Sequence, residues 1–248
     1  MSSTLYGFLL TTFAGMSTMI GTIILFIKTK NKDNIIVSSL SFAAGVMVTL
    51  SVIGLIPEGY HLVYQKYNLV VSILVILIFV NVGVIMSSII AKITPDKGNK
   101  LYKIGIISMI AIILHNIPEG IATFLATNSD KKLGLSLASA IAFHNIPEGI
   151  SISIPIFYAT KSKSKALFYT LISGLSEPFG ALLAFLFLKP FITNTVMGML
   201  FGFIAGIMLH ISFKELIIEA STYNKKGRLV MFFIIGSLLM IINEYIFH

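Results

Sequence analysis

Long apolar runs, interrupted by very few charged residues, constrain the fold of this chain more than any other feature. Residues 104–129 hold His115 and Glu119 but no other charged or imidazole side chain, and residues 133–159 hold His144 and Glu148. A helix that crosses a membrane needs about 20 apolar residues at 1.5 Å per residue. Only 11% of the 248 residues are charged, against about 25% in soluble domains. We therefore predict an integral membrane protein.

Eight such segments predict an all-α bundle of eight transmembrane helices. They cover approximately residues 4–27, 35–60, 67–91, 104–129, 133–159, 166–188, 192–213 and 229–247. The connections are short, so residues 1–248 should form a single transmembrane domain. No basic region precedes the first segment and no small-residue cleavage pattern follows it, which favours a retained helix over a signal peptide. The absence of cysteine excludes disulfides and thiolate metal sites.

The basic residues predict the orientation of the bundle. Thirteen lie in the first, third, fifth and seventh loops, and four in the second, fourth and sixth. The first set is Lys28, Lys30, Lys32, Lys92, Lys97, Lys100, Lys103, Lys161, Lys163, Lys165, Lys225, Lys226 and Arg228, and the second is Lys66, Lys131, Lys132 and Lys189. Because basic loops remain in the cytoplasm, both termini should face outside. The net charge of +8 thus reflects topology, and no nucleic-acid partner is expected.

The fourth and fifth segments repeat one hexapeptide. His-Asn-Ile-Pro-Glu-Gly occupies residues 115–120 and again 144–149. The short loop makes the two helices antiparallel, as in the inverted repeats of transporters whose sites lie near the membrane midplane. His and Glu four residues apart share one helix face. Two imidazoles (His115, His144) and two carboxylates (Glu119, Glu148) would suit zinc, and also ferrous iron, manganese, cobalt or cadmium.

Other polar residues of the motif extend this site. Asn116 and Asn145 lie about 100° around the helix from the histidines, where an amide oxygen could serve a second, adjacent ion. Pro118 and Pro147 each free a carbonyl one turn back, which predicts kinked, polar-lined helices. The alternative is that the histidines are hydrogen-bonded packing residues, but ionisable residues inside a bilayer are usually functional.

A third buried carboxylate, Glu177, stands beside Pro178 in the sixth segment. We predict it to be a metal ligand; the alternative is a partner for a buried lysine, yet no lysine lies at that depth. Glu58 and His61, near the outer end of the second segment, could capture metal at an entrance or belong to a solvated helix end. His210 and Glu215 could form an exit relay, although the neighbouring Lys214 also fits an ordinary interfacial helix end.

The paired motifs, followed by Gly-Leu-Ser-Glu-Pro at residues 174–178, resemble the ZIP (Zrt/Irt-like) metal transporters, and most of all their bacterial ZupT-type branch, over nearly the whole chain. The resemblance implies zinc uptake through the bacterial cytoplasmic membrane, a homodimer, and a binuclear site. One metal position would use His115, Glu119, His144 and Glu148. The second would use Asn116, Asn145 and Glu177, with Glu119 and Glu148 bridging.

The resemblance also implies an elevator-like motion. Segments one, four, five and six correspond to the moving unit of the family, and segments two, three, seven and eight to its scaffold and dimer surface. Residues 92–103 contain no histidine, so this chain departs from relatives that carry a histidine-rich cytoplasmic loop there. The metal that the chain prefers is left open.

Two other functions fit a polytopic metal-binding bundle. A membrane-embedded di-metal enzyme would need a pattern such as Glu-x-x-His or His-Glu-x-x-His, and the chain has neither. We therefore expect no enzyme and no cofactor, with metal ions and membrane lipid as the partners. A metal exporter or channel of the same topology is the second alternative, because sequence hardly separates the direction of transport.

Overall fold

The computed structural model describes residues 1–27, 31–95, 98–188 and 191–247. Within these ranges the chain forms eight helical spans and no strand, which confirms the all-α prediction. The spans are α1 (Ser3–Phe26), α2 (Lys32–Tyr64), α3 (Leu69–Ile93), α4 (Lys100–Ser129), α5 (Lys131–Thr160), α6 (Lys163–Phe187), α7 (Asn194–Ser221) and α8 (Lys226–Phe247). The loop lysines Lys28, Lys30, Lys97 and Lys189, used in the orientation argument, lie outside the described residues.

Seven of the described spans are long and apolar enough to cross a membrane. The other is α5, whose polar motif residues and serines lower its hydropathy. Its central residues are buried by the other helices, so its polarity is not exposed to lipid. The chain is therefore a multi-pass membrane protein.

The helix starts follow from local capping. Side-chain oxygens accept a backbone N–H in the first turn of each helix from α1 to α7, and such caps stabilise a helix by about 1 kcal/mol. These oxygens belong to Ser2, Asn31, Asn68, Asn99, Asp130, Ser162 and Thr193. A cap fixes where the helix begins even when the apolar run begins several residues later.

Two helix ends differ from the predicted boundaries. α2 continues to Tyr64 and α7 to Ser221, beyond the predicted residues 60 and 213. Both continue through a π-helical turn, at Leu50–Leu55 and Ser212–Leu216. In α7 the apolar run ends at the first charged residue, Lys214, whereas the backbone hydrogen bonding of the helix continues past it.

The loops gather at two ends of the bundle. One end holds Met1, and we call it the terminus end. There Lys131 Nζ donates to the Met1 carbonyl at 3.1 Å, and Asn194 donates to Gln65. At the lysine-rich end, Lys225 donates to Asn31, and Asn99 donates to the Ala159 carbonyl at 3.5 Å. The loops that carry most of the lysines are thus together at one end.

Glycines pack four helices, α1, α4, α5 and α6, into what we call the first helix group. A Cβ added to Gly120 would stand 2.7 Å from the carbonyl carbon of Glu177, so α4 and α6 are in backbone contact. Gly15 of α1 and Gly174 of α6 approach each other's carbonyls in the same way. Gly149 of α5 lies against the Thr18 carbonyl of α1. Small residues let membrane helices approach closely.

The second helix group, α2, α3, α7 and α8, uses the same device. Gly83 of α3 and Gly206 of α7 each lie against the partner helix backbone, as do Gly59 of α2 and Gly198 of α7. Gly45 of α2 lies against Phe233 of α8. For every helical glycine with close neighbours in other helices of the described residues, those neighbours belong to its own group.

Side chains, and not glycine contacts, join the two groups. Met47 and Met208 of the second group share one apolar core with Ile112 and Ile152 of the first. The outer faces of α3 and α8 are largely exposed, as expected for helices in contact with lipid. The fold therefore consists of two tightly packed groups that meet along an apolar surface.

Candidate metal site

The two motifs lie at the middle of α4 and α5. Both helices continue through Pro118 and Pro147 without a break. All six side chains that carry the predicted ligands in these motifs are buried, with exposed fractions of 0–5%. Glu177, also fully buried, lies within two residues of the middle of α6. The helices thus bring the seven predicted residues to a similar depth.

The histidines and glutamates pair between helices in a reciprocal way. His115 Nε2 of α4 lies 3.0 Å from Glu148 Oε2 of α5, and His144 Nε2 of α5 lies 3.4 Å from Glu119 Oε1 of α4. The sequence pattern places the His and Glu of each motif on one face of their helix. The structure instead joins each imidazole to the carboxylate of the other motif, because the antiparallel helices set His of one opposite Glu of the other.

Each asparagine is held through its amide nitrogen. Asn116 Nδ2 donates to the Ser173 carbonyl of α6 at 3.1 Å. Asn145 Nδ2 donates to the Ala14 carbonyl of α1 and to Glu177 Oε2, both at 2.9 Å. Glu177 is thereby connected to the repeated motif. The amide oxygens of both asparagines are not used by these bonds.

Five buried oxygens at this site have neither a hydrogen-bond partner nor an ion-pair contact within the described residues. A buried acceptor without a partner costs about 1–3 kcal/mol, and more if it is charged. Because all are acceptors, a bound cation would satisfy them together, as would protons or water molecules that donate to them. These oxygens are Asn116 Oδ1, Asn145 Oδ1, Glu119 Oε2, Glu148 Oε1 and Glu177 Oε1.

The ligand groups do not form a closed coordination sphere in this arrangement. Among the described residues, no three His, Asp or Glu side chains stand so that they could hold one metal ion. The imidazoles and carboxylates are engaged with each other in pairs. These side chains could coordinate one metal ion together only if the His–Glu pairs opened.

A cavity of about 210 Å³ connects this site toward the terminus end. Glu58 and His61 of α2 line it together with Glu119 and His144, so these two predicted entrance residues share a space with the motif. The π-helical turn of α2 forms part of its wall, a feature that is frequent at functional sites.

Two cavity residues, Asn243 and Glu244 of α8, were not predicted from the sequence. Asn243 Nδ2 donates to the Ala140 carbonyl of α5 at 3.4 Å. The available signal was that these adjacent polar residues interrupt an otherwise apolar segment near its end.

The two His–Glu pairs differ in their access to this cavity. Glu119 and His144 line it and are 4% and 5% exposed, whereas His115 and Glu148 do not line it, and are 0% exposed as side chains. Equivalent residues of the repeat thus have different surroundings.

The two predicted exit residues lie elsewhere. His210 Nδ1 is 2.9 Å from Ser87 Oγ, at the contact between α7 and α3. Glu215 lies at the lysine-rich end, within electrostatic reach of Lys100 and Lys103. There Lys100 Nζ forms an ion pair of 3.0 Å with the buried Glu219, linking α4 to α7. The structure therefore does not place His210 and Glu215 in the cavity that contains Glu58 and His61.

Residues 91–244 match the family described as ZIP Zinc transporter, and this range contains both motifs and Glu177. The chain belongs to the ZIP family. Relatives named zinc transporter ZupT resemble it over nearly its full length. That of Streptococcus mutans is 38% identical, with 97% of both chains aligned, and that of Chlorobium chlorochromatii is 36% identical, with 98% of both aligned. That of Clostridium perfringens is 33% identical over the whole of this chain and 98% of its own.

These matches confirm the family suggested by the sequence motifs. They also assign the chain to transporters and not to enzymes, because the family and these relatives are described as zinc transporters. For a ZIP protein the metal is cargo that must be bound and released. A site whose histidines and glutamates are paired with each other, and which is connected to one end of the bundle, is compatible with such a role.

Proposed function

We propose that this ZIP protein takes up zinc, and also ferrous iron, manganese, cobalt or cadmium, across a bacterial cytoplasmic membrane by alternating access. The named relatives are zinc transporters, and imidazole, carboxylate and amide ligands together suit this range of ions. The observation that carries the proposal is the group of five buried oxygens between α4, α5 and α6 that have neither a hydrogen-bond partner nor an ion-pair contact.

The proposed site holds two ions. Opening of the reciprocal pairs would present His115, Glu119, His144 and Glu148 to the first ion. Asn116, Asn145 and Glu177 would bind the second, with Glu119 and Glu148 between the two. The hydrogen bonds from Asn145 to Glu177 and from Asn116 to the Ser173 carbonyl support this division, because they tie α6 to the motif helices.

The two helix groups provide a basis for alternating access. Backbone contacts through glycine hold each group together, whereas apolar side chains form the surface between the groups. The cavity that reaches Glu119 and His144 from the terminus end is lined by residues of both groups. Displacement of the first group along the second would close this cavity and expose the site at the lysine-rich end.

The proposed orientation places the terminus end outside and the lysine-rich end in the cytoplasm. Basic loops at one end support it. In that orientation Glu58, His61 and Glu244 line the entrance, and Glu215 lies on the exit side. The membrane potential then favours inward movement of cations by about 2.3 kcal/mol per charge per 100 mV. We further propose that the protein is a homodimer.

Metal uptake into proteoliposomes tests the proposed function. Purified protein with Glu119→Ala or Glu148→Ala should lose saturable zinc uptake, whereas Asp33→Asn, which alters a carboxylate in the first turn of α2, should retain it. The site assignment fails if the glutamate variants transport and bind zinc like the wild type. Uptake that rises linearly with metal concentration would favour a channel, and net transport in the opposite direction an exporter.

The number of ions can be tested separately. Zinc bound per chain, measured by elemental analysis after equilibrium dialysis, should be two for the wild type and one for Glu177→Gln. A value of one zinc ion per wild-type chain would refute the second ion position, but it would leave the proposal of zinc uptake intact.

The absence of cysteine allows a direct test of alternating access. A single cysteine at Ala122 or Leu137, both in the cavity wall, should react with a membrane-impermeant thiol reagent added outside. Conditions that drive release of metal at the lysine-rich end should protect this cysteine from the reagent. Labelling that does not change with metal or membrane potential would argue against closure of this cavity.

A further inference from the structure

Two buried serines lie in α4 and α7, helices that pack against each other across the two helix groups. Ser108 of α4 and Ser212 of α7, which we call the serine pair, are both 0% exposed. Neither hydroxyl has a hydrogen-bond partner within the described residues, although a helical serine ordinarily has a carbonyl of its own helix within reach. A buried polar group without a partner destabilises a packed state, so apolar packing alone does not explain these two side chains.

The serine pair lies about halfway between the candidate metal site and the lysine-rich end. Ser108 precedes His115 by seven residues, which is two helical turns, or about 10 Å, along the same face of α4. Ser108 also follows Lys100 by eight residues, and Ser212 precedes Glu219 by seven. The two helices run in opposite directions and Lys100 pairs with Glu219. Both serines therefore lie about 10–12 Å from that ion pair and at a similar depth.

The helix faces that carry the serine pair belong to the surface between the helix groups. Ile112 is one turn from Ser108, and Met208 is one turn from Ser212. Both of these apolar residues belong to the core that joins the two groups. The serine pair thus places two hydroxyls in the apolar surface along which the first group would be displaced.

A π-helical turn begins at the serine pair. Ser212 is the first residue of the turn Ser212–Leu216 of α7, and this turn packs against α2. The π turn of α2, Leu50–Leu55, forms part of the wall of the cavity at the terminus end. The second group therefore has a π turn beside the open cavity and another at a closed contact on the opposite side of the site. Such turns are frequent at functional sites.

We propose that the serine pair lines the route by which the metal ion leaves toward the lysine-rich end, and that its hydroxyl oxygens, together with water, solvate the ion there. An ion that leaves imidazole and carboxylate ligands must exchange them for other donors, because an unsolvated charge is strongly disfavoured in an apolar interior. Neutral hydroxyls solvate an ion without holding it tightly, as passage requires.

Displacement of α4 along α7 would open this route. It would uncover both hydroxyls, and it would also separate Lys100 from Glu219, where the route meets the lysine-rich end. This inference identifies residues of the release path in the proposed alternating access, and it rests on that proposal.

Cysteine labelling tests the route, because the chain contains no native cysteine and cysteine is close to serine in size. Ser108→Cys and Ser212→Cys should each react with a membrane-impermeant thiol reagent added on the side of the lysine-rich end during zinc transport, but not without zinc. Ser41→Cys is the matched control. Ser41 is also 0% exposed and without a hydrogen-bond partner in the described part of the chain. It lies one turn from Gly45, on the face of α2 that packs on α8 within the second group, and should remain unlabelled.

The outcomes separate this route from alternating access itself. If Ala122→Cys becomes protected during transport but neither variant of the serine pair is labelled, the cavity closes and the release route lies elsewhere. If the labelling of Ala122→Cys does not change either, alternating access fails together with the route. Labelling of Ser41→Cys as strong as that of the serine pair would show a general loosening of the bundle and would also overturn the proposal.

Removal of the hydroxyls tests their role. The double variant Ser108→Ala, Ser212→Ala should lower the maximal rate of zinc uptake about five- to hundredfold, the range expected for loss of a needed polar partner, with unchanged zinc binding at equilibrium. Its unfolding temperature should not fall, because the hydroxyls removed have no partner among the described residues. Ser41→Ala should transport like the wild type. Unchanged uptake by the double variant, or uptake that falls only in step with binding or stability, would overturn the proposal and leave zinc transport intact.

Discussion

Gly120→Ala tests how the contact between α4 and α6 supports the proposed metal site. Gly120 follows Glu119 in the first motif, and a Cβ built there would stand 2.7 Å from the Glu177 carbonyl carbon and closer still to its oxygen. Ordinary contact begins near 3.4 Å. The two helices must therefore separate by at least about 0.7 Å, which overpacked membrane or soluble cores resist by about 1–3 kcal/mol.

This separation would reach the predicted ligands. The Asn116 Nδ2 bond to the Ser173 carbonyl, now 3.1 Å, would lengthen to about 3.8 Å, beyond the range of a hydrogen bond. Loss of a buried bond of this kind costs a further 1–3 kcal/mol or so. Glu177, one turn from Ser173, would move with α6. Since displacements near 1 Å can cost about 100-fold in positioned chemistry, we expect zinc uptake at low metal concentration to fall at least about tenfold.

Initial rates of zinc uptake in proteoliposomes measure this effect. Gly227→Ala is the matched control, because an added Cβ at this first-turn position of α8 meets nothing within 4 Å. The control should transport like the wild type and unfold at the same temperature. The reasoning is refuted if Gly120→Ala binds and transports zinc as well as Gly227→Ala does.

Three further predictions concern charges. In thermal unfolding, Lys100→Met should destabilise the protein by about 1–3 kcal/mol more than Glu219→Gln does, because it leaves the buried Glu219 without its cation. Glu219→Gln leaves only Lys100 without a partner, and Lys100 is half exposed to solvent. Equal effects of the two variants would contradict this. Zinc affinity, measured by calorimetry, should fall about tenfold for each unit by which the pH is lowered and for each proton that zinc displaces, because imidazole must be neutral to bind a metal. An affinity that does not depend on pH would show that no proton is displaced. Glu244→Gln should raise KM with little change in kcat, and a changed kcat alone would remove Glu244 from the entrance.

The number and approximate positions of the helices could be predicted from the sequence. Residues exposed to lipid must be apolar over about 20 positions, so the eight segments are visible without knowledge of packing. The boundaries of these helices are harder to predict from the sequence. The caps at Asn31 and Asn99 begin helices several residues before the apolar run, and the π turn of α7 carries its helix past the first charges.

The residues that the structure brings together in the candidate site could also be predicted, but their pairing could not. Histidine and glutamate four positions apart reveal that both lie on one helix face. Whether His115 faces Glu119 of its own helix or Glu148 of the next depends on how α4 and α5 are rotated against each other. Likewise, the sequence shows where the glycines are, but which helix backbone each glycine contacts becomes known only from the packing of the two helix groups.

The two motifs are identical in sequence, yet the fold makes them unequal. His144 and Glu119 touch the cavity, while His115 and Glu148 are sealed from it. This inequality has a physical consequence for a carrier. If both pairs faced one side, a metal ion could enter and leave by the same route without any movement of the protein. In the alternating-access cycle that we propose, the counterpart state would exchange these roles, with His115 and Glu148 exposed and His144 and Glu119 sealed.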